Sequence, residues 1–196
     1  MLKMFWNCLD MKEEKTKFVS ESMLELSSLL KKPPTGIILD TKPLSAELVN
    51  VVESTYNSWC EHNWQFCFFC KNIYLKLKSI ESIPIHLLIY CSDDSKLANA
   101  ARKENKLAKW GLVNDKYHVA AVYKSNDKYI LWHEILHLFA VDDCYLPDNP
   151  YIGPTCELPN CIMQYVPSKE NVREWPFLCQ ENIKRIQAHN GKQTSI

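Results

Sequence analysis

Residues 132–144 read Trp-His-Glu-Ile-Leu-His-Leu-Phe-Ala-Val-Asp-Asp-Cys and contain the pattern H-E-x-x-H at His133, Glu134 and His137. On a helix, residues four apart lie on nearly the same face, so both imidazoles can point at one metal ion. Glu134 lies about 100° further round the helix, where a carboxylate can take a proton from a metal-bound water. Two histidines do not complete a zinc site, so the rest of the chain has to supply a third ligand.

The composition fits one globular domain with a substantial core. The chain has 196 residues, of which 46% are hydrophobic and 11% are aromatic, a composition that argues against disorder. Its 23 basic and 23 acidic residues cancel to a formal net charge of zero. This balance indicates neither a nucleic-acid groove nor an anionic membrane surface, so we expect neither partner.

The number of cysteines helps to predict the cellular compartment of the protein. There are nine, an odd number that would leave one thiol over in a secreted protein. The apolar patch at the start of the chain is interrupted by Asn7 and Asp10 and is too short for a signal-peptide core. No apolar run is long enough to span a bilayer. We therefore expect a reducing, cytoplasmic setting with free or metal-bound cysteines, while export without an N-terminal signal stays open.

Apolar periodicity predicts alternating helices and strands, and hence an α/β (α+β) fold. The near-continuous apolar run at 83–90 is typical of a strand buried on both faces of a sheet. Aromatic and β-branched residues favour a strand at 64–77 as well. Helices are predicted at 12–32, 46–60, 93–109, 127–140 and 169–189, and strands at 37–39, 64–77, 83–90 and 117–123. Asp127 or Asn126 is expected to cap the metal helix.

We divide the chain into three parts of one domain. We interpret residues 1–34 as an N-terminal helical extension and residues 35–143 as a subdomain that ends with the metal helix and that resembles zincins in its H-E-x-x-H pattern. Residues 144–196 form an irregular Cys- and Pro-rich C-terminal subdomain with a final helix. Its segment 144–171 holds five prolines and one glycine. A structureless segment of this length inside a compact domain is usually functional.

The candidate third ligand is Asp143, six residues after His137. The spacing His133-Glu134-x-x-His137-x-x-Ala140-x-x-Asp143 resembles the metzincin signature H-E-x-x-H-x-x-G-x-x-H/D, in the Asp version of snapalysin-type members. The resemblance implies a zinc metallopeptidase with a twisted mixed sheet, a backing helix and an active-site helix. It also implies a peptide or protein substrate that lies extended along a sheet edge, with Glu134 as general base. We expect a monomer and place that edge at 117–123 or just before it.

A second part of the resemblance lies downstream. Met163, in Cys161-Ile-Met163-Gln-Tyr165, is similar to the methionine of the metzincin Met-turn. The motif Cys-x-Met, together with Cys144 directly after Asp143, resembles the archaemetzincin (archaelysin) pattern. In astacins and serralysins the tyrosine of Met-x-Tyr stabilises the oxyanion, which implies that role for Tyr165. A tyrosine packed under the loop is the alternative.

Archaemetzincins hold a second, structural zinc with cysteines that include a C-x-x-C near the C-terminus. Here that position reads Cys179-Gln-Glu-Asn182, so the last cysteine is missing. One interpretation is that Cys156 substitutes for it, which gives a structural zinc at four thiols. The other is one disulfide with free thiols. The four cysteines concerned are Cys144, Cys156, Cys161 and Cys179.

Several alternatives stay open at the catalytic site itself. Asp142, or a distant glutamate such as Glu157, Glu170 or Glu174, is a rival third ligand. Ala140 stands where the family has glycine, and a left-handed backbone there would cost about 1–2 kcal/mol. If the helix is merely an amphipathic core helix, the two histidines occur in this pattern by chance and do not form a metal site.

We interpret the cysteines at 60, 67 and 70 as buried thiols rather than a metal cluster with His62.

Two other functions compete with a peptidase. Residues 133–143 partly resemble the motif H-G-x-L-H-L-x-G-x-D-H of bacterial rRNA-maturation endoribonucleases, although Glu134 replaces a small residue there. The second competing function is that of a non-catalytic protein with a metzincin fold, which binds peptides without cleaving them. Activity of Glu134→Ala on peptides, with and without a chelator, discriminates between the three.

Overall fold

The computed structural model describes residues 1–9, 13–62, 65–80, 86–106, 110–123, 127–144, 156–158, 161–164 and 177–193. Within these ranges the chain forms a mixed α/β structure with five strands and six helices. The elements are β1 (Leu2–Cys8), α1 (Glu13–Leu30), β2 (Leu39–Pro43), α2 (Ala46–His62), α3 (Phe66–Ile80), β3 (Leu87–Tyr90), α4 (Lys96–Glu104), β4 (Gly111–Asn114), β5 (Val119–Val122), α5 (Lys128–His137) and α6 (Gln180–Gln193).

The sheet has the strand order β2-β1-β3-β5-β4. The first four strands in this order run parallel, and β4 pairs antiparallel with β5 at the edge. Parallel neighbours need crossover connections, and the helices between successive strands supply them. The predicted mixed α/β class is therefore confirmed.

Apolar residues alternate between two cores, one on each face of the sheet. Along β3, Leu88 and Tyr90 face a core that includes α1, α5 and α6 residues, while Leu87 and Ile89 face a core built with α2, α3 and α4. Successive side chains of a strand point to opposite faces, so a strand covered on both sides is apolar throughout. Helix α5, which carries His133 and His137, lies in the first of these two layers.

The N-terminal segment differs from the prediction. Its helix exists as α1, but Leu2–Cys8 is a strand that pairs with β2 on one side and β3 on the other. Residues 1–34 are thus not a helical extension, because their first strand lies inside the sheet. The alternation of Leu2, Met4 and Trp6, all buried in one core, is the period-two signal behind it.

The predicted strand at 64–77 is also wrong, since Phe66–Ile80 forms helix α3. Its buried residues are Phe66, Phe69, Cys70, Ile73 and Leu77, which is the spacing of one helix face. This periodicity outweighs the β-propensity of the aromatic residues, which depends strongly on context.

The region before the metal helix adds a strand that the sequence analysis did not predict. Helix α4, predicted at 93–109, ends at Glu104, and Gly111 begins the edge strand β4. Asp127 caps α5 as predicted, because its side chain accepts a hydrogen bond from the Tyr129 N–H at 3.0 Å.

Candidate metal centre

Helix α5 is held against the sheet by its apolar face. Leu131, Trp132, Ile135 and Leu136 are buried, and the indole N–H of Trp132 donates to the Ser22 carbonyl of α1 at 2.9 Å. This anchoring leaves the opposite face of the helix toward solvent. The side chains on that face are the half-buried His133, Glu134 and His137.

A tight turn follows the helix and reverses the chain. The Ala140 N–H donates to the His137 carbonyl at 3.1 Å, and the Val141 N–H donates to the Leu136 carbonyl at 3.3 Å. This pair of hydrogen bonds is a Schellman motif, which needs a left-handed residue at the position of Ala140. Its φ is +61°, so the alanine adopts the strained backbone that glycine adopts freely. The turn returns Asp143 to the helix.

Three donor atoms meet beside the helix. The Oδ1 atom of Asp143 lies 3.2 Å from Nε2 of His133 and 3.3 Å from Nε2 of His137, and the two Nε2 atoms are 3.3 Å apart. Tetrahedral zinc with bonds of about 2.0–2.2 Å holds its ligand atoms about 3.3–3.6 Å apart. The triangle therefore has the dimensions of one face of a zinc coordination tetrahedron. We call this group the histidine site.

The hydrogen bonds behind the rings favour a cation in this triangle. Nδ1 of His133 contacts the Ile162 carbonyl at 2.9 Å, and Nδ1 of His137 contacts the Val141 carbonyl at 2.8 Å. A carbonyl accepts, so each neutral ring carries its proton on Nδ1 and its lone pair on Nε2. Both lone pairs then meet Asp143 Oδ1, which is buried without a hydrogen-bond partner. Converging acceptors repel one another unless a cation lies between them, so the residues fit a bound metal.

Without a metal, a proton is the cation that can stabilise this arrangement. Burial opposes a charged ring at His137, but contact with Asp143 and the charges of Asp143 and Glu134 raise its pKa to about 9. Burial likewise opposes the Asp143 carboxylate, and its two histidine neighbours hold its pKa well below the usual range. Metal binding consequently has to displace a proton from the site.

Two of the rival third ligands, Asp142 and Glu157, do not join the triangle. The carboxylate of Asp142 pairs with Arg185 of α6 at 2.6 Å. Glu157 does not belong to the group of described residues whose ligand atoms converge on the histidines. Glu170 and Glu174 lie outside the described residues. Asp143 is the carboxylate that the turn brings beside both rings.

Glu134 lies beside the histidine site, against the edge strand. A Cβ atom built on Gly111 of β4 would be 2.5 Å from its Cδ and 2.8 Å from its Oε1. The glycine thus makes room for the carboxylate, which is the close approach that an isolated strand glycine often marks. Burial raises the pKa of the Glu134 carboxyl, against the opposing charges of His133 and His137. This contact was not predicted, because no strand was predicted at Gly111.

The predicted Met-turn region is described only in part. Cys161–Gln164 forms a tight turn in which the Gln164 N–H donates to the Cys161 carbonyl at 3.0 Å. Met163 is fully buried, and its carbonyl accepts from the Cys144 N–H at 2.7 Å. This turn therefore lies against the segment that carries Asp143. Tyr165, the predicted oxyanion donor, lies outside the described residues.

The four predicted cysteines come together next to the histidine site. Sγ of Cys144 lies 3.6 Å from Sγ of Cys161 and 3.7 Å from Sγ of Cys179, and a thiol of Cys156 completes a group within 4.8 Å. Tetrahedral zinc with Zn–S bonds of about 2.3 Å holds its sulfur atoms about 3.8 Å apart. A disulfide needs about 2.05 Å, and all four thiols are free. We call this group the cysteine cluster.

The thiols of the cluster do not ionise alike. A hydrogen bond from Cys144 lowers the pKa of Cys161 to about 6, while the same contact raises the pKa of Cys144. Burial raises the pKa of Cys179 to about 11. A thiolate surrounded by thiols would be stabilised by a bound cation. Since metal ligation requires deprotonated sulfur, this thiolate favours metal binding at the cluster.

Other candidates lie elsewhere. Cys60, His62, Cys67 and Cys70 do not form a converging ligand group in the described part of the chain. His189 of α6 is half-buried, with its ring centroid 5.4 Å from that of buried His86. The ring of His86 also contacts His118.

Comparison with protein-family models, with curated proteins and with solved structures finds no match for this chain. Among the described helices, none combines the length and apolarity that crossing a membrane requires. The function has to be inferred from the geometry of the two ligand groups and the elements that hold them.

Proposed function

We propose that the chain is a zinc-dependent metallopeptidase of the metzincin type. His133, His137 and Asp143 would hold the metal, and Glu134 would act as general base. The observation that carries the proposal is the triangle of donor atoms 3.2–3.3 Å apart, with a glutamate on the next helix position. When bound, zinc supplies a Lewis acid that brings the pKa of water towards about 7 and polarises the scissile carbonyl.

Glu134 has the surroundings that a proton carrier needs. Its carboxylate would take a proton from the attacking water and deliver it to the leaving amine. The raised pKa of Glu134, caused by burial, favours both steps because the group has to accept a proton and then release it near neutral pH. Gly111 supports this role by leaving space for the carboxylate beside the strand.

The edge strand β4 supplies a surface for an extended substrate. Tyr123 donates its N–H to the Trp110 carbonyl at 2.8 Å, and Gly111 stands opposite Val122 in the antiparallel register. Hydrogen-bonded and non-hydrogen-bonded pairs alternate, so the backbone N–H and C=O of Gly111 and Val113 point away from β5. A peptide added as a further strand would pair with these groups next to Glu134.

The remaining parts of the resemblance belong to the same proposal. The tight turn around buried Met163 supports a Met-turn, and Tyr165 stays a prediction as the oxyanion donor. The sulfur spacing of the cysteine cluster supports a second, structural zinc. Nine free thiols favour a reducing, cytoplasmic compartment. We further expect a monomer that acts on a peptide or protein substrate.

Peptide cleavage by the zinc-loaded protein tests the proposal. A fluorogenic peptide library would be cleaved, and a chelator would abolish the cleavage. Glu134→Gln should keep its zinc and lose at least about 100-fold in kcat, the usual contribution of a general base. Glu53→Gln, at an exposed site on α2, is the matched control and should cleave normally.

The outcomes separate the rival functions. Cleavage by Glu134→Gln at the rate of the unmodified chain would refute the mechanism. Chelator-sensitive cleavage of RNA with intact peptides would favour the endoribonuclease alternative. Peptide binding with bound zinc and no cleavage would favour a non-catalytic peptide-binding protein.

A further inference from the structure

The histidine site and the cysteine cluster are joined through the backbone at two points. Asp143 and Cys144 are consecutive, so one peptide unit separates a ligand of the first group from a thiol of the second. Cys161 and Ile162 are also consecutive, and the Ile162 carbonyl fixes the ring of His133 through the 2.9 Å contact with Nδ1. A backbone shift at Cys144 or Cys161 would therefore move Asp143 or the carbonyl that orients His133.

A third connection runs through the side chain of Asn182 on α6, which is 2% exposed. Its Oδ1 accepts from the Asp142 N–H at 3.2 Å, and its Nδ2 donates to the Asp142 carbonyl at 2.9 Å. The same Nδ2 lies 3.3 Å from Sγ of Cys144. One buried amide thus holds both backbone groups of the residue before Asp143 and contacts a cluster thiol. The helix that carries it begins directly after Cys179.

We propose that metal binding by the cysteine cluster raises the metal affinity of the histidine site, with Asn182 as the positioning residue that couples the two. The inference rests on the proposed function, because it requires that both groups hold metal ions. With the cluster filled, Cys144 and Cys179 are fixed, and Asn182 keeps Asp143 beside the histidine rings. With the cluster empty, segment 142–144 is less ordered, and ordering it costs part of the binding free energy of the second ion.

The alternative is that Asn182 merely completes the packing of α6. In that case its removal would lower the stability of the protein, but the affinity of the histidine site would not depend on the cluster. The two roles are therefore separated by measuring how the affinity of one site changes with the occupancy of the other. Such coupling has to be reciprocal.

The experiment uses two probe ions on the full chain. Cadmium, a soft ion, occupies the thiolates. Cobalt at the histidine site is followed by its visible ligand-field absorption, and cobalt at the thiolates is told apart by its sulfur-to-metal charge-transfer absorption in the near ultraviolet. The cobalt affinity is measured by competition with a chelator, with and without one equivalent of cadmium. We expect about tenfold tighter cobalt binding when cadmium is present, within the range seen for groups that orient metal ligands. Cadmium should in turn bind about tenfold tighter after cobalt.

Asn182→Ala should abolish most of this tenfold difference. Asn190→Ala is the matched control on the same helix, because that amide accepts from the N-terminal ammonium of Met1 at 2.7 Å, away from both sites. It should leave the coupling intact. If Asn182→Ala does not fold, Asn182→Asp tests the same point, since it keeps the acceptor and removes both donor contacts.

Three negative outcomes have different meanings. Equal cobalt affinity with and without cadmium would overturn the coupling and leave the proposed function standing. A histidine site that takes up no cobalt or zinc at all would overturn both. Full coupling in the folded Asn182 variants would exclude Asn182 as the positioning residue.

Discussion

Replacing Gly111 by alanine would push the Glu134 carboxylate away from its position beside the histidine site. The new Cβ would lie 2.5 Å from Cδ, 2.6 Å from Cγ and 2.8 Å from Oε1, whereas ordinary contacts are 3.4–4 Å. The far end of the glutamate is more mobile than the paired strand, so we expect the carboxylate to move by about 1 Å. A misplacement of about 1 Å costs about 100-fold in rate, or about 2.7 kcal/mol of transition-state stabilisation.

Steady-state kinetics on a cleaved peptide, with zinc content measured in parallel, check this value. We expect kcat of Gly111→Ala to fall about 100-fold, while KM and zinc content stay nearly unchanged, because the alanine does not touch the donor atoms. The displaced carboxylate is better solvated, so its raised pKa should fall. The acid limb of the kcat/KM profile should therefore move to lower pH.

Gly191→Ala is the matched control, since a Cβ there meets nothing within 4 Å. It should cleave at the normal rate. Activity of Gly111→Ala within twofold of the unmodified chain would refute the reasoning. It would mean that strand β4 moves to accommodate the new Cβ while the Glu134 carboxylate keeps its position. Loss of zinc in the same variant would also contradict it, since the defect would then lie at the ligands.

Three further predictions concern the turn, the metal and the cluster. Ala140→Gly should stabilise the fold by about 1 kcal/mol, because relief of a backbone cost of about 1–2 kcal/mol outweighs the chain entropy that glycine adds to the unfolded state. Thermal unfolding should show a Tm higher by about 2–4 °C, and an unchanged or lower Tm would contradict strain at φ +61°. Zinc affinity should rise about tenfold between pH 7 and pH 8, because the proton held by His137 with a pKa of about 9 has to leave. Chelator competition measures this slope, and a flat profile above pH 7 would indicate an ordinary histidine. Metal analysis should find two zinc ions per chain and one in Cys156→Ser, whereas a single ion in the unmodified chain would exclude a structural zinc.

Local sequence was sufficient for the metal helix and its cap. His133, Glu134 and His137 share their arrangement because a helix repeats every 3.6 residues, whatever surrounds it. The Asp127 cap is equally local, since its side chain accepts a hydrogen bond from the N–H of Tyr129, two residues further along the chain. The spacing to Asp143 was informative for a related reason. Only six residues lead from His137 to Asp143, so a single Schellman turn at Ala140 determines the position of the Asp143 carboxylate.

Elsewhere the local signal was weak or misleading. In α3 the aromatic residues favoured a strand, but the helical spacing of Phe66, Phe69 and Ile73 buries them in the core that α3 shares with α2 and α4. In β1 the alternation of three apolar residues was too short to identify a strand by itself. Leu2–Cys8 is a strand because β2 and β3 supply backbone partners on both sides.

Local sequence places two imidazoles on one face of a helix with the Glu134 carboxylate beside them, and it places a second carboxylate and four cysteines downstream. Which of these groups meet depends on the tertiary structure. Asp143 rather than Asp142 joins the histidines because Arg185 and Asn182 of α6 hold the neighbouring residue. Gly111 reaches Glu134 only through the pairing of an edge strand with β5. Such contacts join residues far apart in the chain, so they depend on packing, which no local pattern encodes.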